Sequence, residues 1–229
     1  MDALLSTLPF TPAVPTSIAS AMHHLQHDFE TTTYAKGQML FQEGHTAWGL
    51  FYIQEGKVKI YKYGSDGKEQ IIRLAGAGEF VGYTALLNDM KYHVSAAVIE
   101  GTTLAFIPRQ DFLDTFGQDP KVAQHFTHLL CRDLVTTEQR LVAQSYCPVR
   151  GRLAEALLSL DQLYEKKNSD EESFIKLSRH DLASLLGTAK ETVIRLLSEF
   201  KSEQLITTNG RVISVLNPQG LQKISHLYD

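Results

Sequence analysis

The strongest constraint on the fold is a change in the spacing of apolar residues near residue 115. Between Gly37 and Pro108, short apolar runs rich in Val, Ile, Tyr and Phe are separated by glycines, and several of them alternate apolar with polar residues. This two-residue period is typical of half-buried β-strands. From Pro120 onward the apolar residues recur every three or four positions, which is the period of an α-helix. The chain therefore combines a strand-rich N-terminal half with a helical C-terminal half.

The N-terminal half is predicted to form an antiparallel β-roll of the jelly-roll type. Six apolar runs each have the length of one strand: QMLF, GLFYIQ, KVKIYKY, EQIIRLA, HVSAAVI and TTLAFIP. The glycines beside them suit chain reversals, because glycine adopts positive φ without strain. Many short strands at this spacing indicate a rolled antiparallel sheet. A short helix is predicted before them, over residues 16–29.

The segment after Pro120 predicts one long helix that carries a seam for a second copy of the chain. The seam follows alternating steps of four and three residues, which is the heptad spacing of a coiled coil. Its positions are Ala123, Thr127, Leu130, Leu134, Thr137, Leu141 and Gln144. Packing of this face within its own domain is the alternative, and a homodimer is the interpretation we favour. Pro148 then interrupts the helix, so Cys147–Pro148 is predicted to be a hinge.

The segment LSRHDLASLLGTAKETVIRLLSEFKSEQLI predicts a helix-turn-helix. Ser178 is a suitable N-cap for the first helix, with Asp181 three residues further on as in a capping box. Gly187 supplies the turn, and a second helix begins near Ala189. Two apolar strands around Asn209–Gly210 predict a hairpin, which would be the wing of a winged helix-turn-helix.

The second helix carries the candidate DNA-reading residues. In a helix-turn-helix its N-terminal part enters the major groove, and here that part contains Lys190, Glu191, Thr192 and Arg195. Glu191 and Arg195 stand four residues apart on one helix face, so a surface ion pair is one interpretation. Base reading is the other, with Glu191 accepting from a cytosine amino group and Arg195 donating to guanine O6 and N7. We favour base reading, and the two interpretations are compatible.

Composition limits the remaining possibilities. The 229 residues are 43% hydrophobic and 21% charged, as in ordinary globular proteins, and the formal net charge is −4. Any contact with DNA must therefore come from a local basic patch. The two cysteines cannot form a disulfide framework, and no membrane span or signal peptide is expected, so the predicted location is the cytoplasm. No enzyme is predicted, because glycine-rich phosphate loops and the HExxH and G-x-S-x-G motifs are lacking.

From about Gly37 to its end, the chain resembles the Crp/Fnr family of bacterial regulators. The N-terminal half shows KGQMLFQEGHTAWGLFYIQEGKVKIY and GEFVGYTALL, which are similar to the family's cyclic-nucleotide-type β-roll. The C-terminal half shows LLGTAKETVIRLL, which is similar to its recognition-helix motif E-T-V-x-R. The resemblance implies an α+β fold with a sensory β-roll at 1–118, a dimerisation helix and hinge at 119–147, and a winged helix-turn-helix at 148–229.

The resemblance also implies a function and assigns residues to it. The chain is expected to bind a palindromic double-stranded DNA site with TGA-like half-sites as a homodimer, and to contact RNA polymerase if it is an activator. By position, Ser178, Arg179 and Thr192 match the family's phosphate contacts. Glu191 and Arg195 match the pair that reads a G·C step. Lys190 stands where some members use a further base-reading arginine, although lysine lacks the planar fork of that side chain.

The same resemblance argues against cyclic AMP as the effector. In members that bind it, a glutamate after GEF-x-G contacts the ribose and an arginine contacts the phosphate, whereas this chain has Tyr83 and Val94 there. A buried phosphate without its cation is costly, so no useful affinity for cyclic AMP is expected. The candidate pocket for another effector comprises Gly82, Tyr83, Val94, Ser95 and Thr137. The alternative is that this interior is filled by its own side chains and the protein acts without a ligand.

Two further possibilities concern cofactors and an unrelated role. An iron–sulfur cluster is not expected, because Cys131 and Cys147 are the only cysteines and neither lies near the N-terminus. Haem or another small effector stays open, since His23 and His27 share a helix face, as do His125 and His128; no metal site is predicted. The alternative function is a nucleotide-binding regulatory module without a role on DNA, which the missing phosphate arginine disfavours.

Overall fold

The structure is a computed structural model that describes Leu25 and residues 29–88, 91–164 and 174–225. The helix predicted over 16–29 therefore lies outside the described residues, except for Leu25 and Phe29. The chain divides into two compact units. One lies within Thr11–Tyr63 and Ile72–Val135, and the other comprises Gly64–Ile71 together with the described part of Thr136–Asp229.

The first unit is built from two four-stranded sheets. One sheet has the strand order β1-β8-β3-β6 and the other the order β2-β7-β4-β5. The strands are β1 Thr31–Tyr34, β2 Met39–Phe41, β3 Gly49–Glu55, β4 Val58–Tyr63, β5 Glu69–Ala75, β6 Phe80–Val81, β7 Ser95–Val98 and β8 Thr102–Pro108. The central pairings are antiparallel, with Leu50 opposite Ile107 and Ile60 opposite Ala96. The predicted β-roll is confirmed, and each of the six predicted runs contains one strand.

Two of these strands were not predicted. β1 consists of three exposed threonines and a half-buried tyrosine, so it lacks the alternation that marks a half-buried strand. β6 has only two residues, both buried, which is too short for any period. Both strands are held by their neighbours, since β1 pairs with β8 and β6 pairs with β3.

Among the residues from 29 onward that the structure describes, this unit contains α1 Tyr83–Leu87, α2 Arg109–Gln118 and the first half of α3 Pro120–Tyr146. Val122, Phe126 and Leu129 lie on one face of α3, four and three residues apart, and all three are buried. The Phe126 ring packs edge-on against Phe112 of α2, with 4.8 Å between the ring centroids. Burial of side chains this large contributes about 1.5–3 kcal/mol each, so this face anchors α3 to the β-roll.

The predicted seam lies on a different face of α3. Ala123 is half-buried, whereas Thr127, Leu130, Leu134, Thr137 and Leu141 are exposed. Leu134 and Leu141 leave 60% and 66% of their surface accessible. The described chain therefore does not cover the leucines of the seam, and the alternative of packing within the same domain is not observed for them.

The second unit contains a helix-turn-helix followed by a two-stranded hairpin. Its elements are α4 Val149–Tyr164, α5 Arg179–Leu186, α6 Lys190–Ser202, β9 Ile206–Asn209, β10 Val212–Val215 and α7 Pro218–Ser225. Cys147 and Pro148 separate α3 from α4, which confirms the predicted break in the helix. The hairpin pairs Asn209 with Val212, and Gly210 in its turn has φ 58°, a conformation that favours glycine. α7 was not predicted.

Candidate nucleic-acid interface

The turn between α5 and α6 is shaped by local capping. The Ser178 hydroxyl accepts a hydrogen bond from the backbone N–H of Asp181 at 2.9 Å, so the predicted N-cap is confirmed. Ser178 also donates its hydroxyl to the Asp181 carboxylate at 2.5 Å. α5 ends at Gly187, whose φ of 63° would strain a residue with a Cβ atom.

Two arginines satisfy the carbonyl groups at the C-terminal end of α5. Arg152 donates from Nη1 to the Leu186 carbonyl at 2.8 Å, and Arg140 donates to the Leu185 carbonyl. These carbonyls have no partner within the helix, so the bonds hold α5 against α3 and α4. Burial, together with the neighbouring charge of Arg152, lowers the pKa of Arg140 to about 10. Neither arginine was singled out from the sequence.

The recognition helix α6 has one buried and one exposed face. Val193, Leu196, Leu197 and Phe200 are buried, as the sequence predicted. The opposite face is accessible and includes the predicted base-reading residues: Lys190, Glu191, Ile194, Arg195 and Ser198. The helical period therefore places Glu191 and Arg195 where a duplex could reach both of them. Thr192, a predicted phosphate contact, is half-buried beside them.

Arg195 forms its ion pair with Glu199. Its Nη1 atom donates to Glu199 Oε1 at 2.5 Å, one turn towards the C-terminus. The pair between Glu191 and Arg195 that their spacing allows is not among the ion pairs of the described residues. Glu199 is favoured because its other oxygen, Oε2, accepts from Arg150 Nη1 at 3.1 Å, which orients the carboxylate.

Arg150 extends this contact into a cluster. Its Nη2 atom donates to both oxygens of Glu203, at 2.8 and 2.7 Å, and its guanidinium carbon lies 4.8 Å from the centroid of the buried Phe200 ring. These contacts raise the pKa of Arg150, chiefly through the hydrogen bond to Glu203. Glu199 could have been found from its spacing to Arg195. Arg150 lies 49 residues before Glu199, and no local sequence pattern indicates the contact.

Arg179, one of the predicted phosphate contacts, is bonded to the wing. Arg179 is half-buried and donates from Nη2 to the Gly210 carbonyl at 3.2 Å, which ties the start of α5 to the turn of the wing. Burial lowers its pKa, and its Nη1 atom is buried with no hydrogen-bond partner among the described residues. Arg211 follows in the turn and is exposed. Arg179 thus links the wing to the helix-turn-helix.

In the first unit, the predicted effector residues contact other protein groups. A Cβ atom at Gly82 would lie 3.3 Å from the Tyr92 ring and 3.4 Å from the Phe41 ring. These two rings are stacked with their centroids 4.0 Å apart, and Tyr92 donates its hydroxyl to the Gly49 carbonyl at 2.6 Å. The space beside Gly82 is therefore occupied by aromatic side chains.

The other predicted effector residues are held in different ways. Ser95 is buried, and its Oγ accepts from the Glu43 backbone N–H at 3.1 Å. Val94 is half-buried and packs against the β-roll core. Thr137 is exposed, on the part of α3 that belongs to the second unit.

Tyr83 is buried and points to the first half of α3. Its hydroxyl donates to Asp133 Oδ2 at 2.5 Å, and its ring centroid lies 5.4 Å from that of Phe126. Burial raises the pKa of Tyr83, so the hydroxyl keeps its proton as a donor. The residue that stands in place of the ribose-binding glutamate thus connects the start of α1 to α3.

A buried ion pair lies near this contact. Glu79 Oε1 is 3.8 Å from Arg73 Nη1, and Glu79 Oε2 accepts from the Gly76 backbone N–H at 2.7 Å. Glu79 Oε1 has no hydrogen-bond partner among the described groups. Burial raises the pKa of Glu79 to about 7, although the charge of Arg73 opposes this shift.

The histidine pairs do not form a recognisable ligand set in the described residues. His125 is buried, whereas His128 and Cys131 are exposed; His23 and His27 lie outside the described residues. Within 29–88, 91–164 and 174–225, no group of three or more His, Cys, Asp or Glu side chains is placed to hold a metal ion. No helix in this part of the chain is long and apolar enough to cross a membrane.

Each of the two units matches a known family of domains. A model of the cyclic nucleotide-binding domain matches residues 31–119, and a model of the Crp-like helix-turn-helix domain matches residues 151–224. The chain is 29% identical to the cyclic AMP receptor protein of Thermus thermophilus, over 86% of this chain and 88% of the relative. The chain belongs to the Crp/Fnr family. Its relatives in this family are DNA-binding transcription regulators rather than enzymes.

A second relative and a solved structure are also similar to most of the chain. The fumarate and nitrate reduction regulatory protein of Vibrio cholerae is 29% identical over 83% of this chain and 76% of its own length. The structure of FixK2 from Bradyrhizobium japonicum has the same fold, with a TM-score of 0.77, 24% sequence identity, and coverage of 88% of this chain and 99% of that one. A nucleotide-binding module without a role on DNA is not favoured, because the helix-turn-helix model matches through the wing.

Proposed function

We propose that this Crp/Fnr regulator binds a palindromic DNA site with TGA-like half-sites as a homodimer in the cytoplasm, and that cyclic AMP does not control it. The observation that carries the proposal is the accessible face of α6, on which Glu191 and Arg195 stand together beside Lys190. Arg195 donates to guanine O6 and N7, and Glu191 accepts from the amino group of a cytosine. Each well-aligned contact of this kind supplies about 1–3 kcal/mol of discrimination against the wrong base.

Phosphate contacts set the position of α6 on the duplex without reading sequence. We assign them to Ser178, Arg179 and Thr192, at the start of α5 and in the first turn of α6. Arg179 already donates to the Gly210 carbonyl, so a phosphate would be met by its remaining donors. Because Arg179 joins the start of α5 to the wing, we expect both elements to approach the phosphate backbone of DNA together.

The seam on α3 supports the homodimer. Leu130, Leu134 and Leu141 expose apolar surface at heptad spacing, and such a stripe is covered when two helices pair. A two-fold dimer presents two recognition helices to half-sites about 34 Å apart, which accounts for a palindromic site. We accordingly propose that the chain consists of a β-roll at 1–118, a dimerisation helix at 119–147 and a DNA-binding domain at 148–229. RNA polymerase is a further partner if the regulator is an activator.

The contacts around Tyr83 and Val94 support independence from cyclic AMP. The Tyr83 hydroxyl is engaged by Asp133, and the half-buried Val94 supplies no cation for a phosphate. The Thermus relative is named for cyclic AMP, so the proposal is that this chain has diverged from it in ligand use. Isothermal calorimetry is expected to show no micromolar binding of cyclic AMP, and such binding would overturn this part of the proposal.

Selection of bound duplexes from random DNA tests the DNA-binding proposal. We expect enrichment of a palindrome with two identical half-sites, and recovery of unrelated sequences would contradict it. Arg195→Ala should then remove the preference at one symmetric base pair, whereas Arg179→Ala should weaken binding to all sequences alike. Equal losses on specific and random DNA for Arg195→Ala would show that Arg195 does not read a base.

A further inference from the structure

We propose that Glu199 positions Arg195 for base reading and that Arg150 holds Glu199 in place. This inference rests on the proposed role of Arg195 as a base-reading residue. It assigns a specificity role to Glu199 and Arg150, neither of which was predicted from the sequence to take part in base reading.

The contacts form a continuous chain of charges. Glu199 Oε1 accepts from Arg195 Nη1 at 2.5 Å, and Glu199 Oε2 accepts from Arg150 Nη1 at 3.1 Å. Arg150 comes from α4, donates from Nη2 to both oxygens of Glu203, and lies over the buried Phe200 ring. The exposed guanidinium of Arg195 is thereby connected, through one carboxylate, to a second helix and to the core.

The geometry leaves Arg195 able to read a base. An arginine has five N–H donors, and Glu199 uses Nη1 alone. The Nε and Nη2 atoms form one edge of the guanidinium and can donate together to guanine O6 and N7. Because 64% of the Arg195 side chain is exposed, it would otherwise move among many rotamers, and ordering it would reduce the gain from the base contact.

Arg150 also removes an electrostatic conflict. A carboxylate on a recognition helix repels the phosphates of the duplex, and an isolated surface ion pair is too weak to fix two long side chains. In this cluster two arginines balance two glutamates, and Arg150 Nη2 donates to both oxygens of Glu203. Glu199 can therefore orient Arg195 without adding net negative charge at the interface.

The test measures discrimination rather than affinity. The dissociation constants of the full-length dimer are measured for the selected palindrome and for the same duplex with the base pair read by Arg195 replaced in both half-sites. Their ratio is the discrimination, and Arg195→Ala should lower it by about tenfold or more. Glu199→Ala is expected to lower it by about threefold, because the ion pair that orders Arg195 is lost. Arg150→Met is also expected to lower the discrimination.

Glu203→Ala is the matched control. It removes the same charge close by in sequence and leaves the pair between Glu199 and Arg195 in place, so it should lower the discrimination less than Glu199→Ala does. Glu199→Gln keeps an acceptor oxygen for Arg195 and should retain more discrimination than Glu199→Ala. If Glu199→Ala does not fold, as judged by its melting transition, Glu199→Gln is compared with Glu203→Ala instead. The inference then requires that Glu199→Gln discriminates less between the two duplexes than Glu203→Ala does.

The outcomes separate this inference from the proposed function. Loss of discrimination in both Arg195→Ala and Glu199→Ala supports the inference. Loss in Arg195→Ala with wild-type or higher discrimination in Glu199→Ala overturns it and leaves the proposed function intact. Wild-type discrimination in Arg195→Ala overturns the base-reading role itself. If Glu199 has a merely structural role, Glu199→Ala will weaken binding to both duplexes equally, and this result also overturns the inference.

Discussion

The buried carboxyl group of Glu79 should make the stability of the β-roll depend on pH. Its side chain is 5% exposed, it accepts one hydrogen bond from the Gly76 N–H, and its Oε1 atom lies 3.8 Å from Arg73. Burial raises its pKa from an ordinary value of 4.5 to about 7, because the nearby arginine compensates only part of the lost solvation. The folded protein therefore keeps a proton that the unfolded chain releases.

The sign of the effect follows from this difference. Between pH 4.5 and 7 the folded state binds more protons than the unfolded state, so the free energy of unfolding falls as pH rises. A shift of this size corresponds to about 3 kcal/mol, which is fully present as stabilisation below pH 4.5 and lost above pH 7. Glu79→Gln keeps an oxygen for the Gly76 N–H and cannot titrate. The variant should match the wild type near pH 5 and exceed its stability by about 2–3 kcal/mol at pH 8.

The free energies of unfolding of the wild type and of Glu79→Gln are measured by urea titration at fixed protomer concentration, at pH 5, 6, 7 and 8. Other titrating groups, including the buried His125, are present in each and cancel in the difference. The expected difference grows with pH. A difference that stays constant would show that Arg73 keeps Glu79 ionised throughout, and a difference that shrinks with pH would refute the sign of the argument.

Three further predictions concern the β-roll and the seam. Tyr83→Phe should lower the free energy of unfolding by about 1–3 kcal/mol, because Asp133 loses a charge-assisted hydrogen bond; unchanged urea midpoints would count against it. Leu134→Glu should yield a folded monomer by sedimentation, since this exposed side chain lies outside its own core and on the proposed dimer seam, and a dimer of unchanged mass would refute the seam. Cyclic AMP at 1 mM should leave the melting temperature unchanged. A ligand with a dissociation constant of about 10 μM would, at that concentration, raise the free energy of unfolding by about 2.7 kcal/mol and so raise the melting temperature.

Local patterns were enough to predict most of the architecture. The strands with alternating apolar residues, the long helix and the helix-turn-helix were all predicted, because each depends on residues within a few positions of one another. Ser178 caps α5 through a residue three positions away, and Gly187 ends it through its own φ. β1 was missed for the corresponding reason, since its exposed threonines carry no alternation and pairing with β8 holds it in place.

The sequence by itself determined the order of the six predicted strands, the long helix and the winged helix-turn-helix. It also determined the accessible face of α6 and the identity of Glu191 and Arg195 as candidate base-reading residues. These follow from periodicity, capping and motif, which are properties of neighbouring residues. Only the tertiary structure decided that Arg195 pairs with Glu199 rather than Glu191, that Arg150 bonds to Glu199, that Tyr83 bonds to Asp133, and that Glu79 is buried near Arg73. The contacts with Arg150 and Asp133 join groups about 50 residues apart, and the shifted pKa of Glu79 depends on burial, which no local pattern encodes.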